Sequence, residues 1–205
     1  MNGLTDQSDK YSGNFYMKEE KRKLIRNAAA RVFAERGFKS ATTRDIARAA
    51  GISPAAVYYY FDSKEDLLYQ ILEETISTGL GLIQEIEQSQ KGLKEKLSDI
   101  LQIHTQAAVD FNKMKLLVHN QDALNPEHKE EIKVKQRNYT NSLIKILDEL
   151  KAQGKMIDLD TKACAFAFFG MVSWAYRWYD PNGKISPARL SEIFNRIFTK
   201  GIYLD

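Results

Sequence analysis

The chain has one cysteine, Cys164, so no disulfide can form within it, the cysteine usage of a cytoplasmic protein. Proline is scarce, with four in 205 residues. Three of them, Pro54, Pro126 and Pro187, follow Ser or Asn, the arrangement of helix starts. Nowhere do about 18 apolar residues run together, which excludes a membrane-spanning helix. The opening stretch MNGLTDQSDKYSGNFY has no hydrophobic signal region and is read, as residues 1–17, as a flexible arm. The three histidines, His104, His119 and His128, are not spaced to bind a metal from one helix face, and a lone cysteine offers no zinc site. GxSxG, P-loop and GxGxxG patterns are missing, and the paired acids Glu73-Glu74 and Glu130-Glu131 fall in solvent-facing helix patterns. No enzyme, metal or cofactor is expected. With 43% apolar residues and few breakers, the composition predicts an all-α chain with a sizeable core.

The charge is unevenly spread. Residues 1–64 hold 12 Lys and Arg against 7 Asp and Glu, while residues 65–205 hold 18 against 20. The basic end is the one that phosphate attraction would require of a DNA-binding module. It also carries the most specific pattern in the chain, TTRDIARAAGISPAAVYYYF from Thr42 to Phe61. Thr42 is placed to cap a helix, with Asp45 as the capping-box acid three residues on. Gly51 supplies the left-handed conformation that ends that helix. Ser53 caps a second helix and Pro54 takes its first position, where a missing N–H costs nothing. Ile46, Ala47, Ala50, Ile52, Val57 and Phe61 are the expected apolar contacts. The pattern predicts a helix-turn-helix whose second helix enters the major groove of double-stranded DNA.

That second helix has small residues at its start, then Tyr58, Tyr59 and Tyr60, and no acid before Asp62. Small residues allow close approach to base edges, and tyrosine hydroxyls can donate to phosphates. One helix cannot point three successive residues outward, so one tyrosine is expected to be half buried.

These residues resemble the DNA-binding domain of TetR-family transcriptional regulators. The likeness begins near Lys23 with the amphipathic LIRNAAARVFAERGF, covers the motif and ends in DSKEDLL, about a quarter of the chain. It implies a three-helix DNA-binding domain over residues 18–64 and a helical ligand-binding and dimerisation domain over 65–205. It further implies that Thr43 and Lys64 bond phosphates and that Arg44 reaches a guanine. Ser53, Ala55, Ala56, Tyr58, Tyr59 and Tyr60 would face the groove of a palindromic operator. Pro54 and Ala55 depart from the lysine or glycine of many relatives, which leaves the operator sequence open.

After the motif, Ser63 caps a helix with Leu67, Leu68, Ile71, Leu72 and Ile76 on one stripe. Gly79 and Gly81 predict a boundary or bend in it. Further helices are expected from about Leu93 to Val118, from Asn125-Pro126 to Gly154, from Asp160 to Tyr179, and from Ser186-Pro187 onward. The helix over 160–179 is apolar nearly all round and is expected to be buried on more than one face, against its own subunit and a symmetry mate. The family dimerises through such a helix pair, so a homodimer is expected.

Two features are candidates for an effector site. One is Trp174 to Gly183, where Arg177 stands among aromatics with Trp174 and Trp178 as possible walls. Arg177 either binds an anionic group or neutralises a helix end and pairs with Asp180. This segment resembles one in acyl-CoA-responsive members of the family, which implies a long-chain acyl-CoA effector. The other is the scatter of His104, Phe111, Met114, Arg137 and Tyr139 on the middle helices, single residues at helical spacing that also suit a core or a surface. A regulator of drug efflux sensing hydrophobic compounds, and a DNA-binding regulator without a ligand, stand as alternatives; a cavity in the C-terminal domain discriminates.

Overall fold

The computed structural model describes residues 5–180 and 182–203, with side chains from Tyr16 onward except that of Phe111. Among them, nine α-helices run α1 (Thr5–Arg36), α2 (Thr43–Ala50), α3 (Pro54–Tyr60), α4 (Lys64–Gln88), α5 (Leu93–Ala108), α6 (Phe111–His119), α7 (Pro126–Ala152), α8 (Thr161–Ser173) and α9 (Pro187–Ile202). The expectation of an all-α chain is met. The chain divides into two compact units between Ile71 and Leu72, inside α4. The boundary expected at residues 64–65 thus moves into the helix. Residues 5–17, expected as an arm, have helical backbone in α1, and residues 1–4 lie outside the described residues.

In the first unit, α1, α2 and α3 bury Ile25, Val32, Phe33, Ile46, Val57 and Phe61, joined by Leu67, Leu68 and Ile71 from the start of α4. The local signals act as their chemistry dictates. Thr42 Oγ1 accepts from Asp45 N at 3.2 Å while Thr42 N donates to an Asp45 carboxylate oxygen at 3.1 Å, a complete capping box. Gly51 adopts φ 67°, and the Ile52 amide reaches back to Ala47 O at 3.0 Å. Ser53 Oγ accepts from Ala56 N at 3.2 Å, with Pro54 at the first helical position.

In the second unit, Leu97, Ile100 and Leu101 of α5 pack with Leu143, Ile146, Leu147 and Leu150 of α7, Phe168 and Val172 of α8, and Leu190, Phe194 and Phe198 of α9. The starts of α7, α8 and α9 are capped by Asn125, Asp160 and Ser186. Three expectations fail here. Gly79 and Gly81 do not interrupt α4, which runs to Gln88. The single helix expected from Leu93 to Val118 is two, because Asp110 turns its side chain back to the Lys113 amide and starts α6. The helix expected to reach Tyr179 leaves α-geometry after Ser173 for a tighter 3-10 turn over Trp174–Arg177.

Candidate functional site

The DNA-facing candidates follow from how α2 and α3 divide their residues. Val57 is buried and Tyr60 half buried, whereas Tyr58 and Tyr59 are 60% and 72% exposed. The expectation that one of the three tyrosines turns inward is met by Tyr60, whose carbonyl accepts from Arg22 Nη1 at 2.6 Å and whose ring meets Tyr59 edge-on. Thr43 Oγ1 and Tyr58 Oη lie 3.1 Å apart, tying the start of α2 to the exposed side of α3. Arg44 is exposed next to Thr43 and has no hydrogen bond or ion pair among the described residues. Ser53 and Ala55 are exposed and Ala56 half buried. Arg44, Ser53, Ala55, Tyr58 and Tyr59 therefore belong to the exposed side of the motif, with the half-buried Thr43 beside them, and together they offer one cation and four hydroxyls to phosphates or base edges.

Lys64 does not stand with them. Its Nζ donates to Phe38 O at 2.8 Å, Ala41 O at 2.9 Å and Lys39 O at 3.3 Å, and lies over the Phe38 ring. An ammonium has three protons, and all three are taken. Lys64 fastens the first turn of α4 to the α1–α2 turn, so the expected phosphate contact is corrected to a structural one. The basic cluster at 21–23 is likewise thinned, because Arg22 is held by Tyr60 O, by Gln70 Oε1 at 2.6 Å and by the Phe61 ring.

The second unit contains a cavity of about 680 Å³, within the range of small-molecule sites. α4 supplies Thr75, Ile76 and Gly79, and α5 His104 and Ala107. α6 adds Met114, Leu117 and Val118, α7 the stretch around Gln136 to Ile144, and α8 Lys162, Phe166, Phe169 and Ser173. Its walls are mostly apolar, and no carboxylate is among the described lining residues. Gly79 makes room for the ring of Tyr139, since a Cβ there would lie 2.9 Å from Tyr139 Cε2.

His104 and Tyr139 form the polar point of the apolar wall. Nδ1 of His104 and Oη of Tyr139 are 3.2 Å apart, and the imidazole packs on Phe168 and Phe169. A phenol is a better donor than acceptor, so Tyr139 O–H donates to Nδ1 and the imidazole proton sits on Nε2, which is buried without a partner. Burial pushes the His104 pKa from 6.5 down to about 4 and raises that of the Tyr139 hydroxyl, so both are neutral near pH 7.

The two effector candidates part here. His104, Met114, Arg137 and Tyr139 converge on the cavity. Phe111 has no described side chain. Trp174, Arg177 and Trp178 do not line it. Trp174 and Trp178 are more than half exposed, and the Arg177 guanidinium stacks on Trp174 with 4.7 Å to the ring centroid. They are corrected to a surface aromatic group because the 3-10 turn carries them away from the α8 face that meets the cavity. Within the chain α8 buries one face, through Cys164, Ala165, Phe168 and Val172, and leaves Phe166 54% exposed. On α9, Ile197 is exposed while Phe194 is buried in its own unit. Sequence reasoning missed Gln136, Asn141 and Lys162. They read as ordinary polar positions of α7 and α8, Asn141 and Lys162 being exposed, and no local signal marked them. Among the described residues no group of three or more His, Cys, Asp or Glu could hold a metal.

Comparison with known proteins adds two family matches. Residues 90–202 match the "Tetracyclin repressor-like, C-terminal domain" and residues 25–71 match "Bacterial regulatory proteins, tetR family". The chain is 27% identical to the HTH-type transcriptional repressor KstR2 of Mycolicibacterium smegmatis, over 85% of this chain and 86% of that protein. It is 26% identical to the Fatty acid metabolism regulator protein of Bacillus subtilis, over 91% and 99%. The solved structure of AibR in complex with isovaleryl coenzyme A and operator DNA superposes with a TM-score of 0.76, at 21% identity, over 86% of this chain and 97% of that one.

Proposed function

Because the chain belongs to the TetR family of transcriptional regulators, we propose that it is a cytoplasmic repressor whose homodimer binds a palindromic operator and leaves it on binding an amphipathic effector, a fatty acyl-CoA. The observation that carries the effector reading is the cavity, with apolar walls deep inside, Arg137 and Lys162 exposed on its lining and no carboxylate among its described residues. A regulator without a ligand has no use for such a space. A sensor of hydrophobic cations is opposed by the sign of the charge around it. The names of the relatives lean the same way: one is a regulator of fatty acid metabolism, and AibR was solved with an acyl-coenzyme A.

The release mechanism is a population shift. α4 carries Thr75, Ile76 and Gly79 on the cavity wall and Lys64 in the DNA-binding unit, without interruption between them. An effector that prefers one setting of this helix weakens binding to two half-sites about 34–36 Å apart. A 100-fold loss of operator affinity needs only about 2.7 kcal/mol of such preference.

The test is an operator selected from genomic fragments and followed by fluorescence anisotropy. Long-chain acyl-CoA at micromolar concentration should dissociate the complex, while free CoA should not. A complex that survives a panel of acyl-CoAs but is dissolved by a hydrophobic cation would replace this reading with the drug-sensing one.

A further inference from the structure

The cavity is too small for a whole acyl-CoA. At about 30 Å³ per heavy atom, a water's share of the liquid, 680 Å³ takes about 20 such atoms. An acyl chain fits, but the coenzyme part is more than twice that size and must lie at the mouth. Two side chains that line the cavity and are also exposed mark that mouth with positive charge, Arg137 on α7 and Lys162 on α8. Neither has an ion pair or hydrogen bond among the described residues, although neighbouring lysines on α7 do: Lys129 with Asp122, Lys133 with Glu130, Lys135 with Glu73, Lys151 with Asp158. Asp160, the acid nearest to Lys162 in the chain, turns its carboxylate to the Ala163 amide at 2.6 Å and is not on the lining.

The two cations are well separated. Thr161 Oγ1 donates to Asp148 at 2.6 Å, which sets the start of α8 level with Asp148. Arg137 lies eleven residues earlier on α7, about 16 Å along the helix axis. One carboxylate cannot engage both ends of such an opening, whereas an extended head with two spaced anionic groups can. We propose that Arg137 and Lys162 are two separate anion contacts that span the cavity mouth and select effectors whose apolar chain ends in a polyphosphorylated, nucleotide-like head. This rests on the acyl-CoA reading above and adds to it the residues that choose the thioester over the free acid.

The experiment measures binding to the intact dimer by calorimetry, with hexadecanoyl-CoA, its 3′-dephospho form, the free acid and the uncharged alcohol of the same length. The parent protein should bind the CoA thioester at least tenfold more tightly than the acid or alcohol. Arg137→Gln and Lys162→Gln should each cost about tenfold for the thioester and leave the alcohol unchanged. For one of the two variants, the loss should vanish with the dephospho form. If the parent binds the thioester and leaves DNA, yet the double variant binds it equally well, this inference is overturned and the effector reading stands. Acid and alcohol binding as tightly as the thioester would also overturn it. If none of the four enters the cavity, the effector reading itself falls.

Discussion

Gly79 and Gly81 lie two residues apart on α4 and invite opposite outcomes when replaced by alanine. Both have ordinary helical φ, so each alanine gains about 1 kcal/mol of helix propensity. At Gly81 a Cβ meets nothing within 4 Å, and the full gain should appear as a rise in melting temperature of about 2–4 °C. At Gly79 the Cβ would lie 2.9 Å from Tyr139 Cε2, and that ring is held by its hydroxyl on His104 Nδ1. Forcing the ring aside costs about 1–3 kcal/mol of overpacking, and losing its hydrogen bond about 1 kcal/mol more. The propensity gain is outweighed, and Gly79→Ala should be less stable than the parent by about 1–3 kcal/mol. Thermal and urea melts of both variants followed by circular dichroism decide the matter. In a Tyr139→Ala background the obstacle is gone, and Gly79→Ala should then stabilise as Gly81→Ala does. Equal stabilisation by both alanines in the parent would refute the seating of Tyr139 on α4.

His104 should make the second unit acid-sensitive. Its folded pKa of about 4 lies below the unfolded 6.5, so its contribution is complete above pH 6.5 and lost as pH falls toward 4, by up to about 3 kcal/mol. His104→Phe should abolish that limb of the urea midpoint against pH, and an unchanged limb would contradict it. Lys64→Ala should destabilise the DNA-binding unit by about 2 kcal/mol through three orphaned carbonyls. Arg44→Ala and Tyr59→Ala should each weaken operator binding by about 1–3 kcal/mol with melting unchanged, and unaltered affinity in both would remove the proposed groove-facing surface. Ile197→Glu should give folded monomers by light scattering, while Phe194→Glu should unfold the subunit, because only the first of these side chains is exposed.

The readable parts of this chain were those whose cause lies within a few residues. Thr42 with Asp45, Gly51, Ser53 with Pro54, Asn125 with Pro126 and Ser186 with Pro187 each carry a cap and its partner side by side, and the structure has them all. What escaped depends on residues far apart in sequence. Lys64 is absorbed by carbonyls 23 to 26 residues away, and Gly79 is explained by a ring on α7. The break at Asp110 hid inside an apolar period that continues on both sides of it. A cavity is a place where periodicity is satisfied and volume is not, so the residues on its wall read as core. His104, Met114, Arg137 and Tyr139 were visible as oddities, but nothing local said that they meet.

Seven residues are too few for a helix to persist alone in water, so α3 keeps its shape only through what Val57 and Phe61 bury. The side chains it shows to solvent, Ser53, Ala55, Tyr58 and Tyr59, contribute little to that burial. If the exposed side is the groove-facing surface proposed above, specificity and foldability are inscribed on opposite sides of one short element. On that reading, a descendant of this gene can exchange its exposed set one residue at a time and drift toward a new DNA sequence without ever passing through an unfolded intermediate. The cap at Ser53 is the exception, where a change of meaning also loosens the page.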